Sequence, residues 1–169
     1  MRAFILLSLL VSVVLLSACD TYSQAFPPKE PNPIYLAANK IGLEERGDRQ
    51  ELKAFLEIDP VRVEWCAAFV NSVLEETGIQ SNRTHKYYLT ARAYLDWGVR
   101  VSKEDILPGD IVVFPRGNRG WQGHVGFYIR TIEVNGVEYY AILGGNQNDK
   151  VSIELYKKST VLGIRRNAV

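Results

Sequence analysis

Cys66 is the residue of this chain whose type and position best suit covalent chemistry. The sequence of 169 residues contains only two cysteines and two histidines. Cys66 lies in "WCAAFVN", where apolar residues repeat at a spacing of four and predict a helix that begins near the thiol. Unpaired N–H groups and the helix dipole stabilise a thiolate at such an end. The position therefore favours a reactive cysteine over the alternative, a buried structural thiol.

His124 is the candidate base for this nucleophile. A cysteine nucleophile needs a base within hydrogen-bond reach, most often a histidine. In "GWQGHVGFY", glycines close to His124 leave space for the backbone of a substrate. His85 lies in the polar stretch "SNRTHKYY" and is predicted to be a surface residue. An ordinary histidine at a strand end is the alternative interpretation of His124.

Two neighbouring amides are candidates for the group that orients the imidazole. Asn135-Gly136 predicts a hairpin between the strand of His124 and the next strand. A two-residue turn places His124 opposite Gln147, and a three-residue loop with a bulge places it opposite Asn146. Neither position carries a carboxylate, so a Cys-His-Asp triad is not supported. A plain polar turn is the alternative interpretation of "GGNQND".

The loop "FPRGNRGWQG" leads directly to His124 and carries the candidate substrate-binding residues. Trp121 can stack on a sugar or a peptide, and Arg116 and Arg119 can bind a carboxylate. A solvated basic loop is the alternative. Trp65 and Trp97 are predicted to be core residues. No histidine or cysteine cluster has the spacing of metal ligands, and the sequence predicts no cofactor.

The elements that position these residues fall into a helical half and a strand-rich half. Helices are predicted in "PIYLAANKIGLEE", "RQELKAFLEI", "VEWCAAFVNSVLEETG" and "THKYYLTARAYLDWG", the last with Thr84 as its N-cap. Strands are predicted in "IVVF", "GHVGFYIRTIEV", "VEYYAILGG", "KVSIELY" and "VLGIRR". This order predicts an α+β fold with N-terminal helices packed on an antiparallel β-sheet.

The N-terminus predicts export. Residues 1–18 combine Arg2, an apolar run too short to span a bilayer and small residues before Cys19, as in a secretory signal peptide. "LSAC" resembles a bacterial lipobox, which implies a lipid on Cys19 and a membrane-anchored lipoprotein facing the periplasm or the cell exterior. In similar Gram-negative lipoproteins, an aspartate at the position of Asp20 favours retention in the inner membrane.

The rest of the chain is predicted to be a tether followed by one domain. Proline-rich residues 19–33 can extend about 40 Å from the membrane. Residues 34–169 form the predicted domain, and its formal charge near zero argues against nucleic acid as a partner. The oligomeric state is not predicted.

The order "WCAAFVN", "LPGDIVVFPRG", "GHVGFY", "LGGNQ", "VLGIRR" resembles the CHAP and NlpC-like superfamily of cysteine amidases and peptidases. The resemblance implies a papain-like core, peptidoglycan as substrate, Cys66 as nucleophile, His124 as base and then acid, and Asn146 as the orienting group. Some CHAP relatives carry a glutamate where this chain has Gly144, and Gln147 is the candidate to share that role.

Three functions are compatible with these residues. The first is a membrane-tethered hydrolase that cleaves an amide of peptidoglycan through a thioester, as a muramoyl-L-alanine amidase or a peptide endopeptidase. The second, favoured by the missing glutamate, is a non-catalytic lipoprotein that binds wall fragments or a protein partner. The third is acyl transfer through the same thioester.

Overall fold

A computed structural model describes residues 32–168. The predicted signal peptide, Cys19 and nearly all of the predicted tether lie outside these residues. Among residues 32–168, none of the helices combines the length and the apolar character that crossing a bilayer requires.

The helical elements lie in the first half of the domain and the strands in the second half. The α-helices are α1 (Pro33–Ala38), α2 (Arg49–Leu56) and α3 (Cys66–Glu76), and two 3-10 helices cover Ala91–Asp96 and Lys158–Thr160. The strands are β1 (Val99–Arg100), β2 (Ile111–Pro115), β3 (Gly123–Val134), β4 (Val137–Gly144), β5 (Ser152–Lys157) and β6 (Gly163–Arg166).

The six strands form one antiparallel sheet in the order β1-β6-β2-β3-β4-β5. One face packs against the helices, with α3 at the centre of that core. Phe69 of α3 is fully buried, and burying a side chain of this kind contributes about 1.5–3 kcal/mol. A smaller core, built around Phe114 and Tyr140, covers the other face. The predicted α+β fold is confirmed.

The β3–β4 hairpin has the two-residue turn, the first of the two predicted alternatives. Asn135 and Gly136 have φ values of 51° and 74°, the left-handed conformation that a type I′ turn requires at both central positions. Near the turn Val134 pairs with Val137, but the register shifts by one residue between Tyr128 and Arg130. The hairpin therefore contains a bulge in mid-strand, far from its turn.

The predicted helix over residues 84–98 is wrong. This segment forms turns and the short 3-10 helix instead. The fully buried Asn71 of α3 donates to the Tyr88 carbonyl and accepts from the Asn82 N–H and the Tyr94 hydroxyl. These bonds hold the Tyr88 carbonyl and the Tyr94 side chain against α3, so tertiary contacts override the local helix preference.

The first predicted helix is also shorter than expected. It ends at Ala38, and residues 42–45 instead bond to the loop that follows β4. The Gly42 N–H donates to the Val151 carbonyl at 2.9 Å, and the Glu45 N–H donates to the Asp149 carbonyl at 2.7 Å. These contacts fix the loop that carries both candidate orienting amides.

Candidate active site

Cys66 is the first residue of α3 and lines a cavity. The helix begins there because Trp65 takes a non-helical backbone conformation as its N-cap, and the side chain of Trp65 makes no capping hydrogen bond. Cys66 is 3% exposed. It lines a cavity of about 320 Å³ together with Glu64, Arg116, Trp121, Gly123 and Asn146. The thiol thus lies at a helix N-terminus, as the sequence predicts.

Burial raises the pKa of the Cys66 thiol. The Arg116 guanidinium and the backbone N–H groups of Val125 and Ala67 act in the opposite direction, because they favour the thiolate. The helix terminus was expected to lower this pKa, and the structure overturns that expectation because desolvation is the largest effect. In the resting protein the thiol is therefore protonated at neutral pH.

His124 is the second residue of β3, and its imidazole is 1% exposed. Nε2 lies 3.0 Å from Oε1 of Gln147. Nδ1 is buried and has no hydrogen-bond partner among residues 32–168. The Tyr156 ring stacks on the imidazole, with the ring centroids 5.1 Å apart and the planes 11° from parallel. The ring is thus held at one nitrogen and on one face.

The Gln147 amide determines which imidazole nitrogen carries the proton. Its Nε2 group donates to the Ser152 carbonyl at 2.6 Å, and the Ile142 and Gly144 carbonyls each lie 3.3 Å away. Three carbonyl oxygens around this nitrogen direct the amide oxygen toward the ring. An amide oxygen only accepts hydrogen bonds, so Nε2 of His124 carries the hydrogen. In the neutral ring, Nδ1 then has a free lone pair.

The imidazole is neutral at physiological pH. Burial, and to a smaller extent the nearby Arg116 charge, lower the pKa of His124 to about 4, against the opposing effect of the hydrogen bond to Gln147. A neutral imidazole with a bare Nδ1 is the state that a general base requires.

The strand of His124 passes beside the thiol, although no hydrogen bond joins the imidazole to Cys66 and His124 is not among the residues that line the cavity of the thiol. Gly123 and Val125 flank His124 in sequence; the first lines the cavity of Cys66 and the second has its N–H beside the sulfur. Arg116 acts on the pKa of both groups. Cys66 also contributes to the raised pKa of Tyr156, which is about 12 and arises mainly from burial.

Asn146 has a different partner from Gln147. Its Nδ2 group donates to Oε2 of Glu64 at 2.6 Å, and its backbone carbonyl accepts from Nη2 of Arg116 at 2.8 Å. Among residues 32–168, the only side chain that bonds the His124 ring is that of Gln147. The structure therefore places the second of the two candidate amides, not the first, against the imidazole.

The bulge in the hairpin explains why the turn alone does not identify this partner. The two-residue turn sets a register that, continued without interruption, would bring His124 opposite Gln147. The bulge shifts the half of the hairpin that is distant from the turn by one residue. In this shifted register Phe127 pairs with Leu143. Strand β4 then ends at Gly144, and Gln147 reaches the ring from the following turn, in which Asn146 has a φ of 56°.

The candidate substrate-binding residues divide into two groups. Arg116 and Trp121 line the cavity of Cys66, and Trp121 is 60% exposed. Arg119 is exposed and is not among the residues that line this cavity. Trp65 and Trp97 are buried, which confirms their prediction as core residues. Residues 32–168 contain no cluster of side chains suited to bind a metal ion.

Two residues of the site were missed in the sequence. Glu64, two positions before the thiol, bonds Asn146 and lies 3.6 Å from Nη1 of Arg116. Its side chain is 79% exposed, and a lone surface carboxylate has no sequence signal. Tyr156 lies at the position in the alternating β5 that faces the imidazole, and this alternation is the signal that could have identified it.

The domain model described as CHAP domain matches residues 58–146 of the chain, which is more than half of its length. The matched span contains Cys66, His124 and Asn146, and it ends immediately before Gln147. No curated protein matches the chain.

Proposed function

The chain belongs to the CHAP domain family, and from that premise we propose that it is a cysteine hydrolase that cleaves an amide bond in peptidoglycan through a thioester. The family implies peptidoglycan hydrolysis or an amidase-like reaction in general. The assignment of Cys66 as nucleophile, His124 as base and Gln147 as the orienting group rests on the geometry of the site.

The observation that carries the proposal is the hydrogen bond between Gln147 and His124. It leaves Nδ1 of a buried imidazole without a proton and, within residues 32–168, without a partner, on a strand whose Val125 N–H lies at the thiol. A structural histidine usually has both ring nitrogens bonded, because an unpaired buried polar atom costs about 1–3 kcal/mol. An acceptor left bare in this place is suited to take a proton during a reaction.

In the proposed first step, Nδ1 of His124 comes within hydrogen-bond reach of Cys66 in the substrate complex and takes the thiol proton as the sulfur bonds to the carbonyl carbon. The Cys66 N–H has no acceptor within its own helix, because it belongs to the first residue of α3, and it can donate to the developing oxyanion. The carbon–nitrogen bond then breaks, and the leaving amine receives the proton from His124.

In the second step, water attacks the thioester while His124 takes a proton from it. The carbon–sulfur bond breaks, the product leaves as a carboxylic acid, and the thiol regains its proton. Both resting groups are neutral, so the proton moves as the bond forms and no stored thiolate is needed.

Hydrolysis by the purified full-length protein tests the proposal. We expect new amines and new muropeptide masses from peptidoglycan, and loss of this turnover in Cys66→Ala. Ser72→Ala is the matched control, because it trims one atom from another small, buried side chain of α3. It should retain turnover within a few-fold. Equal turnover by the wild-type protein and Cys66→Ala would falsify the thioester mechanism.

The second candidate function is a non-catalytic protein that binds wall fragments. It is favoured by the burial that raises the pKa of the Cys66 thiol, because a structural thiol is kept neutral in the same way. Tight binding of muropeptides without turnover, together with no labelling of Cys66 by iodoacetamide at neutral pH, would identify this function.

The proposed location follows from the predicted lipid on Cys19. A lipid anchor would hold the domain at a membrane, on the side that faces the periplasm or the cell exterior, within reach of the wall. The proposal rests on the sequence of the N-terminus alone.

A further inference from the structure

A second cavity, of about 520 Å³, adjoins the cavity of Cys66. The two cavities share Thr90 and Trp121 in their linings. The proposed mechanism uses nothing in the second cavity. Its volume lies in the range of about 300–1,000 Å³ that is typical of small-ligand sites.

The second cavity has two exposed aromatic side chains in its lining, and the Lys86 ammonium lies over one face of Tyr87, 5.2 Å from the ring centroid. Tyr87 is 57% exposed and Trp121 is 60% exposed, and Ala93 contributes a buried methyl group to the lining. Two exposed aromatic side chains that line the same concave surface form an apolar patch, and such a patch, when rimmed by polar residues, is typical of a ligand-binding groove. A flat, apolar ligand face would bury them well.

The same cavity also has polar groups with free hydrogen-bonding capacity. Nδ1 of His85 accepts from the Tyr87 N–H at 3.0 Å, which leaves Nε2 as a donor in the neutral ring. Arg92 uses Nε on the Gln122 carbonyl at 2.8 Å. Its terminal nitrogens have no partner among residues 32–168. Asp96 accepts no hydrogen bond from the same part of the chain. Donors and an acceptor thus surround an apolar surface.

This combination fits a sugar ring better than a peptide of the cell wall. A pyranose has one face of C–H groups, which packs on an aromatic ring, and hydroxyl groups at its edge, which bond planar polar side chains. The stem peptide has no ring face of C–H groups that could cover the exposed aromatic side chains of this cavity. Arg116, in the first cavity, suits those carboxylates.

We infer that the second cavity is a saccharide subsite that binds the glycan of the substrate. This inference rests on the proposed function, because it gives the same site its substrate. A sugar bound there lies next to the cavity of the thiol. The bond cut is then the amide between the lactyl group of the sugar and the first amino acid. Water supplies a hydroxyl to the lactyl carbonyl and a hydrogen to the amine.

The test uses a ligand that cannot be cut and a protein that cannot cut. The ligand is the peptide-free disaccharide of N-acetylglucosamine and N-acetylmuramic acid, and its affinity for full-length Cys66→Ala is measured by calorimetry. Adding Tyr87→Ala should weaken binding roughly tenfold, as loss of an aromatic contact at the centre of a site does. Tyr87→Phe should retain binding, because it keeps the ring.

Tyr35→Ala is the matched control, since Tyr35 is 64% exposed and lines neither cavity. It should change the affinity less than twofold. The inference is overturned if the disaccharide does not bind, if Tyr87→Ala and Tyr35→Ala behave alike, or if Tyr87→Ala weakens the free stem peptide instead. Binding of the disaccharide to Cys66→Ala involves no bond cleavage. The binding result can therefore be interpreted even if the hydrolysis test fails.

Product masses test the bond assignment separately. Digestion of peptidoglycan by the wild-type protein should release stem peptides with a free alanine amine and glycans that end in intact lactyl carboxylates. Cuts only within the stem peptide would overturn the assignment, even if the disaccharide binds.

Discussion

Gln147 and Asn146 are adjacent amides, and the structure gives them different tasks. Gln147 fixes the imidazole through carbonyl oxygens that orient its amide, whereas Asn146 bonds Glu64 across the mouth of the cavity. The sequence could place both amides near His124 but could not choose between them. The choice depends on a bulge and on left-handed residues in the following turn, and neither has a local signal strong enough to read.

Replacing Gln147 with glutamate should shift the acidic limb of the pH profile. His124 must be neutral to act as base, so its pKa of about 4 determines the pH below which kcat/KM falls. A carboxylate beside Nε2 stabilises the imidazolium and raises this pKa, so we expect the limb of kcat/KM to move up by at least about one pH unit. Gln147→Leu should reduce kcat at least about 100-fold, because nothing then fixes the tautomer.

Asn146→Ala is the control for this pair of variants. Since its amide bonds Glu64, removing it should leave the acidic limb in place. A limb that moves in Asn146→Ala and stays in Gln147→Glu would reverse the two assignments.

Acid should destabilise the fold through His124. The folded pKa of about 4 lies below the usual value of 6.5, so the unfolded chain binds a proton that the folded chain does not. This contribution is complete above pH 6.5 and is lost as the pH falls from 6.5 to 4. Between pH 7 and pH 4.5, the loss in the free energy of unfolding should be roughly 2–3 kcal/mol smaller in His124→Gln than in the wild-type protein.

Urea unfolding at the two pH values measures this difference. His85→Gln is the matched control, because His85 is only partly buried and bonds a backbone N–H at Nδ1. It should follow the wild-type protein. Equal losses in all three proteins would show that His124 does not remain neutral in the folded state.

The position of the Cys66 thiol could be predicted from neighbouring residues, but its pKa could not. Its place as the first residue of a helix was predictable from the spacing of apolar residues after it. Its pKa was not, because the Trp65–Val70 segment is buried throughout and the desolvation depends on elements distant in sequence. The direction of a pKa shift at a helix end follows from burial as much as from the dipole.

At the scale of elements, the strands were predicted better than the helices. Alternating residues and Asn135-Gly136 gave β3 its observed bounds, because a sheet with two covered faces specifies register strongly. The two-residue strand β1 was missed, being too short to show a pattern. The helix prediction for residues 84–98 was wrong for a different reason, because the conformation of this segment depends on Asn71, which belongs to another element.

Asn71→Ala should therefore destabilise the domain more than a typical polar substitution. It removes the hydrogen bonds of Asn71 to the Tyr94 hydroxyl, the Asn82 N–H and the Tyr88 carbonyl, of which the first two can still bond each other. Each unsatisfied buried group costs about 1–3 kcal/mol, and water can restore part of this, so we expect a loss of about 3 kcal/mol in the free energy of unfolding.

Asn118→Ala is the matched control, because Asn118 is an exposed loop residue whose side chain makes no hydrogen bond within residues 32–168. Its effect should stay within about 0.5 kcal/mol. Chemical denaturation of both variants measures the difference. Similar values for the two would mean that the turns of residues 82–90 are stable without the Asn71 bonds.

At the scale of the whole molecule, the site is assembled from segments far apart in the chain. The start of α3, the loop before β3 and the turn after β4 each supply residues to the cavity of Cys66. The family could be recognised from the order of these segments, which is why a few short motifs were informative. The saccharide subsite could not, since its residues carry no motif.

The proposed anchor predicts where the protein is found. Cys19→Ser removes the thiol to which the lipid would attach. We expect the variant to move from the membrane fraction to the soluble fraction, with hydrolysis of isolated peptidoglycan unchanged. Detergent-free fractionation followed by immunoblotting measures this. If Cys19→Ser and the wild-type protein distribute alike, the chain is held by something other than a lipid on that residue.

The tip of the β3–β4 hairpin offers a position for a reporter. Asn135 lies about 37 Å along the strand from His124, and the bulge between them absorbs changes of register before they reach the imidazole. A fluorophore or a short epitope inserted between Asn135 and Gly136 should thus be tolerated. Such a tagged protein would allow an intact enzyme to be followed on living cells while it works.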